Sequence, residues 1–266
     1  MKFSTVMIAG ALALAGVTHG FAQPQVLVGE TFASAPLTSA PTNQLSLGAV
    51  TITSNQPALE IVSLEDGTKV LRFRPKRGAW VRVAFAPTTL KAKQAISLQA
   101  QVKYPAGAPD KGAALRVGIY ALTDAASPVA VAEDVGFAAL TNPGAAGDTP
   151  GTTFLRDNAT ANSEGKFPGF LGGGPGTSPG GNPGPVLNFG TAWTELFFAL
   201  SPTNDKPAAP WTATYLVGKA GAPMKNQVSF KESKEFVSPA FNVAGLSVGP
   251  GDELLIRSLT IAVIGK

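Results

Sequence analysis

The chain contains no cysteine and a single histidine, His19. No disulfide framework can staple it, and no thiolate cluster can hold zinc or iron. His19 falls within residues 1–22, which read as an export leader. Lys2 supplies the positive start, Val6 to Val17 is apolar and interrupted only by small residues, and Gly20 and Ala22 occupy the −3 and −1 positions of a cleavage site before Gln23. The mature chain is therefore expected to carry no imidazole. That excludes histidine general bases, Ser-His-Asp triads and Cys-His nucleophiles. Charge is also sparse, at 14% of residues with a formal net charge of +4. This is too weak a positive balance to argue for a nucleic-acid partner. The leader's apolar stretch is shorter than the roughly 20 residues that span a bilayer, and no later segment resembles one. The expected location is the secreted or periplasmic space or the cell surface, without a membrane span.

Glycine and proline, by contrast, are plentiful, at 30 and 22 residues of 266. They show no collagen period and serve as punctuation. Between them the dominant period is two. In the segment 95–104, Ile96, Leu98, Ala100, Val102 and Tyr104 fall on one side, while Ser97, Gln99, Gln101 and Lys103 fall on the other. That is a half-buried strand with one wet face, as antiparallel sheets allow. Further strands are expected at 47–53, 58–63, 69–74, 80–85, 113–121, 129–140, 193–200, 211–218, 226–231, 237–248 and 253–264. Turns are expected at Glu65-Asp66-Gly67, Pro105-Ala106-Gly107, Asn142-Pro143-Gly144 and Gly249-Pro250-Gly251-Asp252. No amphipathic helix of ten residues and no internal repeat is found. The pattern predicts one all-β domain over 23–266, an antiparallel sandwich, with a Gly/Pro-rich loop at about 165–190. That loop reads as a mobile surface excursion, a ligand cover using Phe167 and Phe170, or a structural lid. It is not a phosphate loop, because no Gly-Lys-Ser/Thr follows.

Several blocks together resemble a family. They are Glu30-Thr31-Phe32, the Asp66-Gly67 turn followed by Val70-Leu71-Arg72-Phe73-Arg74-Pro75, Val83-Ala84-Phe85 with Thr89-Leu90, Leu115-Arg116-Val117-Gly118-Ile119-Tyr120, Glu133-Asp134-Val135-Gly136-Phe137, and Asp252 through Ile261. Their order over 24–266 is similar to secreted concanavalin A-like or laminin-G-like jelly-roll domains of bacteria, many with no assigned activity. Galactose-binding-like modules are the second choice, sharing the terminal strand pattern and the Trp193-Thr194 start of a late strand. The acidic last-strand pattern frequent in the first group is replaced here by Ile256-Arg257-Ser258-Leu259. The resemblance implies a jelly-roll sandwich and a carbohydrate ligand.

The strongest surface signal is basic and aromatic. If 70–74 pairs with 80–85, alternation places Leu71, Phe73, Val81, Val83 and Phe85 inside. Arg72, Arg74, Trp80 and Arg82 then share the outer face, with Lys76 and Arg77 in the turn. Trp can stack on a sugar ring while Arg forks onto carboxylate or sulfate. These four residues form the expected ligand-binding patch, suited to extracellular or cell-surface acidic polysaccharide; the alternative is a solvated strand face.

Catalysis has thinner support. The acidic pairs Glu65-Asp66, Glu133-Asp134 and Asp252-Glu253 are sequence neighbours, which a strand sends to opposite faces. A glycosidase needs two carboxyls across one cleft, about 5–9 Å apart. A lyase using Tyr104, Tyr120 or Tyr215 as base stays open as an alternative, as does a purely structural matrix or surface protein. No organic cofactor is expected. Calcium is the one metal that suits the remaining ligands, with Glu133, Asp134, Asp148 and Asp157 as oxygen donors in no EF-hand spacing.

Overall fold

A computed structural model describes residues 23–76, 78–107, 115–125, 135–141, 152–158, 191–206, 208–222, 224, 226–231, 236–237, 239–249 and 251–265. The strands in chain order are β1 (Gln25–Glu30), β2 (Gln44–Leu47), β3 (Val50–Ser54), β4 (Leu59–Ser63), β5 (Lys69–Phe73), β6 (Ala79–Thr88), β7 (Gln94–Lys103), β8 (Leu115–Ala121), β9 (Val135–Thr141), β10 (Thr152–Asn158), β11 (Thr194–Pro202), β12 (Ala208–Ala209), β13 (Trp211–Lys219), β14 (Asn226–Lys231), β15 (Phe236–Val237), β16 (Phe241–Val248) and β17 (Leu254–Gly265).

Two antiparallel sheets form the sandwich. One runs β14-β13-β11-β7-β17-β5-β4, with β1 as an eighth strand pairing beyond β5 along β17; the other runs β10-β9-β8-β16-β6-β3-β2. The chain passes repeatedly between the sheets, so sequence neighbours often lie in opposite layers, the connectivity of a jelly roll. Among the described residues there is no helix.

Alternation explains the core. Ile96, Leu98, Ala100 and Val102 of β7 are buried against Val81 and Val83 of β6, Val117 and Ile119 of β8, and Leu246 of β16, all in one cluster between the sheets. Trp211 lies in that cluster with its ring edge-on to Phe241, centroids 5.5 Å apart. Phe73 is fully buried at 0%. The two expected turns Glu65-Asp66-Gly67 and Pro105-Ala106-Gly107 end on glycines at φ 79° and 94°, conformations in which a Cβ would be strained.

The strand reading is corrected at several points. The expected strand 47–53 is a hairpin: Leu47 pairs with Val50 around Gly48-Ala49, with Gly48 at φ 63°. A two-residue turn led by glycine needs no longer punctuation than this. The expected strand 237–248 starts only at Phe241, after Pro239, which has no N–H to give a ladder; Phe236–Val237 pairs instead with β12. The expected strand 129–140 is described from Val135 onward. Strands β1 and β10 were not expected, since neither carries a clean alternation in sequence. The Asn142-Pro143-Gly144 turn and the Gly/Pro-rich loop lie outside the described residues.

The largest correction concerns the basic hairpin. The segment 70–74 does not pair with 80–85. β5 pairs with β4 and β17 in the eight-stranded sheet, whereas β6 pairs with β3 and β16 in the seven-stranded one. After Phe73 the chain crosses the sandwich. Pro75 cannot donate to a ladder, and its carbonyl accepts instead from Gly251 N at 3.1 Å, in the turn before β17. Leu71, Phe73, Val81 and Val83 do face the core, but from opposite layers, and Phe85 packs on it only in part.

Candidate functional site

Crossing the sandwich separates the four expected ligand residues into two pairs. Arg72 projects from the outer face of the eight-stranded sheet, directly across from Glu60 on β4, and its Nη2 donates to the Glu60 carboxylate at 2.6 Å while Nε donates to the same oxygen at 2.8 Å. Arg74 stands just past β5, 66% exposed, and faces Glu253 at 3.6 Å. Both guanidinium groups therefore have acid partners from neighbouring strands.

Trp80 and Arg82 leave the opposite side of the molecule, as alternation on β6 requires, yet each is only 2% exposed. This half of the expected exposed patch is thus buried. The Arg82 guanidinium lies 4.1 Å from the Trp80 ring centroid, and its Nε donates to Thr53 Oγ1 at 3.3 Å. Trp80 joins Tyr120, Leu122, Ala138 and Val243 in a small apolar cluster on the outside of the seven-stranded sheet. Its floor is made of glycine. Gly118 pairs with Gly245, and Gly136 pairs with Tyr120, so the tyrosine ring lies flat over Gly118 and Gly136 where any Cβ would strike it. Arg116 borders this cluster, paired in register with Ser247, and burial lowers its pKa from the ordinary arginine value while Tyr120 partly opposes the shift.

Sequence reasoning missed a second basic–aromatic group, back on the eight-stranded sheet. Leu255 of β17 pairs with Arg72 on one side and with Lys103 on the other. One residue before β11, and next in line beyond Lys103, stands Trp193, whose carbonyl accepts from Ala220 N at 3.0 Å. The guanidinium of Arg257 covers the Trp193 ring at 4.2 Å, and Lys103 Nζ lies 6.0 Å from the same centroid. Trp193, Lys103 and Arg257 are all partly exposed. Arg257 reaches this position because the ladder between β17 and β7 slips between Ile256 and Ser258. A bulge of this kind re-aims a side chain and breaks strict alternation. The slip has a trace in sequence: the inward residues run Leu254, Ile256 and then Leu259, Ile261, Val263, with one extra residue in the middle.

Tyr104 and Tyr215 are core residues. Burial, with Asp252 and Tyr215 nearby, pushes the Tyr104 hydroxyl well above its ordinary pKa, which keeps it protonated rather than poised as a base. Of the candidate calcium ligands, Glu133, Asp134 and Asp148 lie outside the described residues, and Asp157 is opposite Gly136 on β10. Among the described residues no three acidic, histidine or cysteine side chains converge on one point.

No protein-family model and no curated protein sequence matches the chain. Solved structures similar to it include the potassium-bound carbohydrate recognition domain of Emp46p, at 10% identity and TM-score 0.49, covering 84% of this chain and 95% of that one. Lectin II from Ulex europaeus is similar at 10% identity and TM-score 0.45, covering 82% and 94%. Alginate lyase vAL-1 from Chlorella virus is similar at 11% identity and TM-score 0.44, covering 77% and 88%. At these scores the likenesses carry no functional argument; the antiparallel two-sheet sandwich is read from the strand pairing itself.

Proposed function

We propose that this chain is a secreted, non-catalytic carbohydrate-binding module that holds a glycan on the outer face of its eight-stranded sheet. One observation carries the reading: Trp193, a partly exposed indole, sits in a cross-strand row with Lys103 and Arg72, under the guanidinium of Arg257. An aromatic ring beside several fixed donors is the combination that grips a sugar, apolar on its ring face and polar at its rim. Trp80 and Trp211, each no more than 2% exposed, offer no comparable surface.

The leader at 1–22 supports export. Mass spectrometry of protein from the exported fraction should find Gln23 as the first residue; an intact Met1 there would contradict it.

The binding reading is tested on a glycan array, with Trp193→Ala as the variant. Wild type should retain at least one glycan class, and the variant should lose about tenfold or more in affinity, the scale of a central aromatic anchor. An assay for new reducing ends or unsaturated uronate should stay flat. Turnover of a retained polysaccharide would overturn the non-catalytic part in favour of a lyase or hydrolase.

A further inference from the structure

We propose that the corner formed by Trp193, Arg257 and Lys103 is an anion subsite, so that the sugar it takes carries a carboxylate or sulfate group. This rests on the glycan-binding reading above and adds the chemical class of the ligand.

Two cations at this corner have no ion-pair partner among the described residues. Four carboxylates described on the neighbouring strands and turns have other partners. Glu60 holds Arg72 at 2.6 Å, and Glu253 faces Arg74 at 3.6 Å. Glu195, opposite Gln101 and one row from Lys103, accepts a hydrogen bond from the Gln99 amide. Asp66, in the turn between β4 and β5, accepts from the backbone N of Thr68 at 2.9 Å. The Thr68 hydrogen bonds hold the Asp66 carboxyl below its ordinary pKa, with a smaller contribution from the charge of Arg257, but no ion pair joins the two. Lys103 and Arg257 remain, both within 6.0 Å of one ring centroid. Among the described residues neither has an ion pair or a side-chain hydrogen-bond partner, and Arg257 Nε is buried with no acceptor. Like charges side by side on a sheet cost stability, and a buried donor left unmet costs more.

The geometry also favours binding. The indole holds the Arg257 guanidinium carbon 4.2 Å from its centroid, and the N–H groups of a guanidinium form a fork of the kind that matches a planar carboxylate or a sulfate. Lys103 adds a compact charge from the adjacent strand. The bulge at Arg257 is what turns this arginine onto the ring, at the expense of a regular ladder. An oxyanion seated here would answer both cations at once, while its sugar ring stays beside Trp193.

The test titrates the exported full chain with oligogalacturonate, a sulfated dextran oligosaccharide, a neutral maltooligosaccharide and free sulfate, each at low and moderate salt. We expect one or both acidic oligosaccharides to bind, with affinity falling as salt rises, and the neutral one to bind at least tenfold more weakly. Which acidic oligosaccharide binds separates carboxylate from sulfate, and binding of free sulfate alone would mean that no sugar is recognised and would overturn the proposal. Arg257→Gln and Lys103→Gln should each weaken acidic-glycan binding about tenfold, the scale of one charge-assisted contact. Lys103→Gln carries the test if Arg257→Gln does not fold. Tight, salt-insensitive binding of the neutral oligosaccharide would overturn the anion subsite and leave the glycan-binding function standing. Acidic binding untouched by both substitutions would also overturn it. Binding of none of the saccharides would overturn both readings.

Discussion

Tyr120 shows how much one residue's surroundings can demand. Its ring fills a trough whose floor is Gly118 and Gly136, and a methyl group at either glycine would occupy the ring's own space. Gly136→Ala is expected to cost about 1–3 kcal/mol by overpacking. Combining it with Tyr120→Ala should cost less than the two changes summed, because the clash disappears with the ring; additive losses in chemical denaturation would contradict this packing. Tyr104 makes a pH-dependent demand. Burial raises its folded-state pKa above the unfolded value near 10. The unfolded chain therefore releases this proton first, so the contribution of Tyr104 is intact below about pH 10 and is lost as pH rises beyond it. Stability measured from pH 8 to 11 should fall more steeply for wild type than for Tyr104→Phe; parallel curves would show that Tyr104 is not the group responsible.

Among the elements, β5 and β6 show both the reach and the limit of sequence reasoning. Alternation correctly told which side chains point inward, since Leu71, Phe73, Val81 and Val83 all belong to the core. It could not tell that the two strands lie in different sheets, because period two encodes a face and not a partner. Adjacent strands with a short connection read equally well as a hairpin or as a crossing. The stability consequences follow the observed pairing. Phe73→Ala should cost about 3–5 kcal/mol, as for a fully buried aromatic. Arg72→Ser should cost about 0.5–1 kcal/mol through its cross-strand bond to Glu60, whereas the more exposed Arg74→Ser should stay within about 0.5 kcal/mol. Equal effects of the two arginine substitutions in urea unfolding would contradict this ranking. The bulge in β17 was legible in principle. The apolar run of 254–263 changes phase between Ile256 and Leu259, which strict period two cannot accommodate and which leaves Arg257 and Ser258 together between the two inward series.

At the scale of the whole molecule, with no cysteine in the chain and no helix among the described residues, burial between two sheets is the main source of stability, and the alternating segments announced that plan. The all-β sandwich was therefore readable from composition and period. The site was not, because Lys103, Trp193 and Arg257 come from distant parts of the chain, and only the strand order brings β7, β11 and β17 side by side. The chain has 3 tryptophans, of which Trp80 and Trp211 are at most 2% exposed and Trp193 alone is partly open. The quencher-accessible part of the intrinsic fluorescence therefore reports on the proposed site. The most direct measurement is iodide or acrylamide quenching with and without a retained acidic oligosaccharide. The accessible fraction of emission should be shielded by ligand in wild type and should be missing in Trp193→Phe. Ligand binding that leaves this accessible fraction unshielded, or that persists at full affinity in Trp193→Ala, would contradict a glycan site on the eight-stranded sheet.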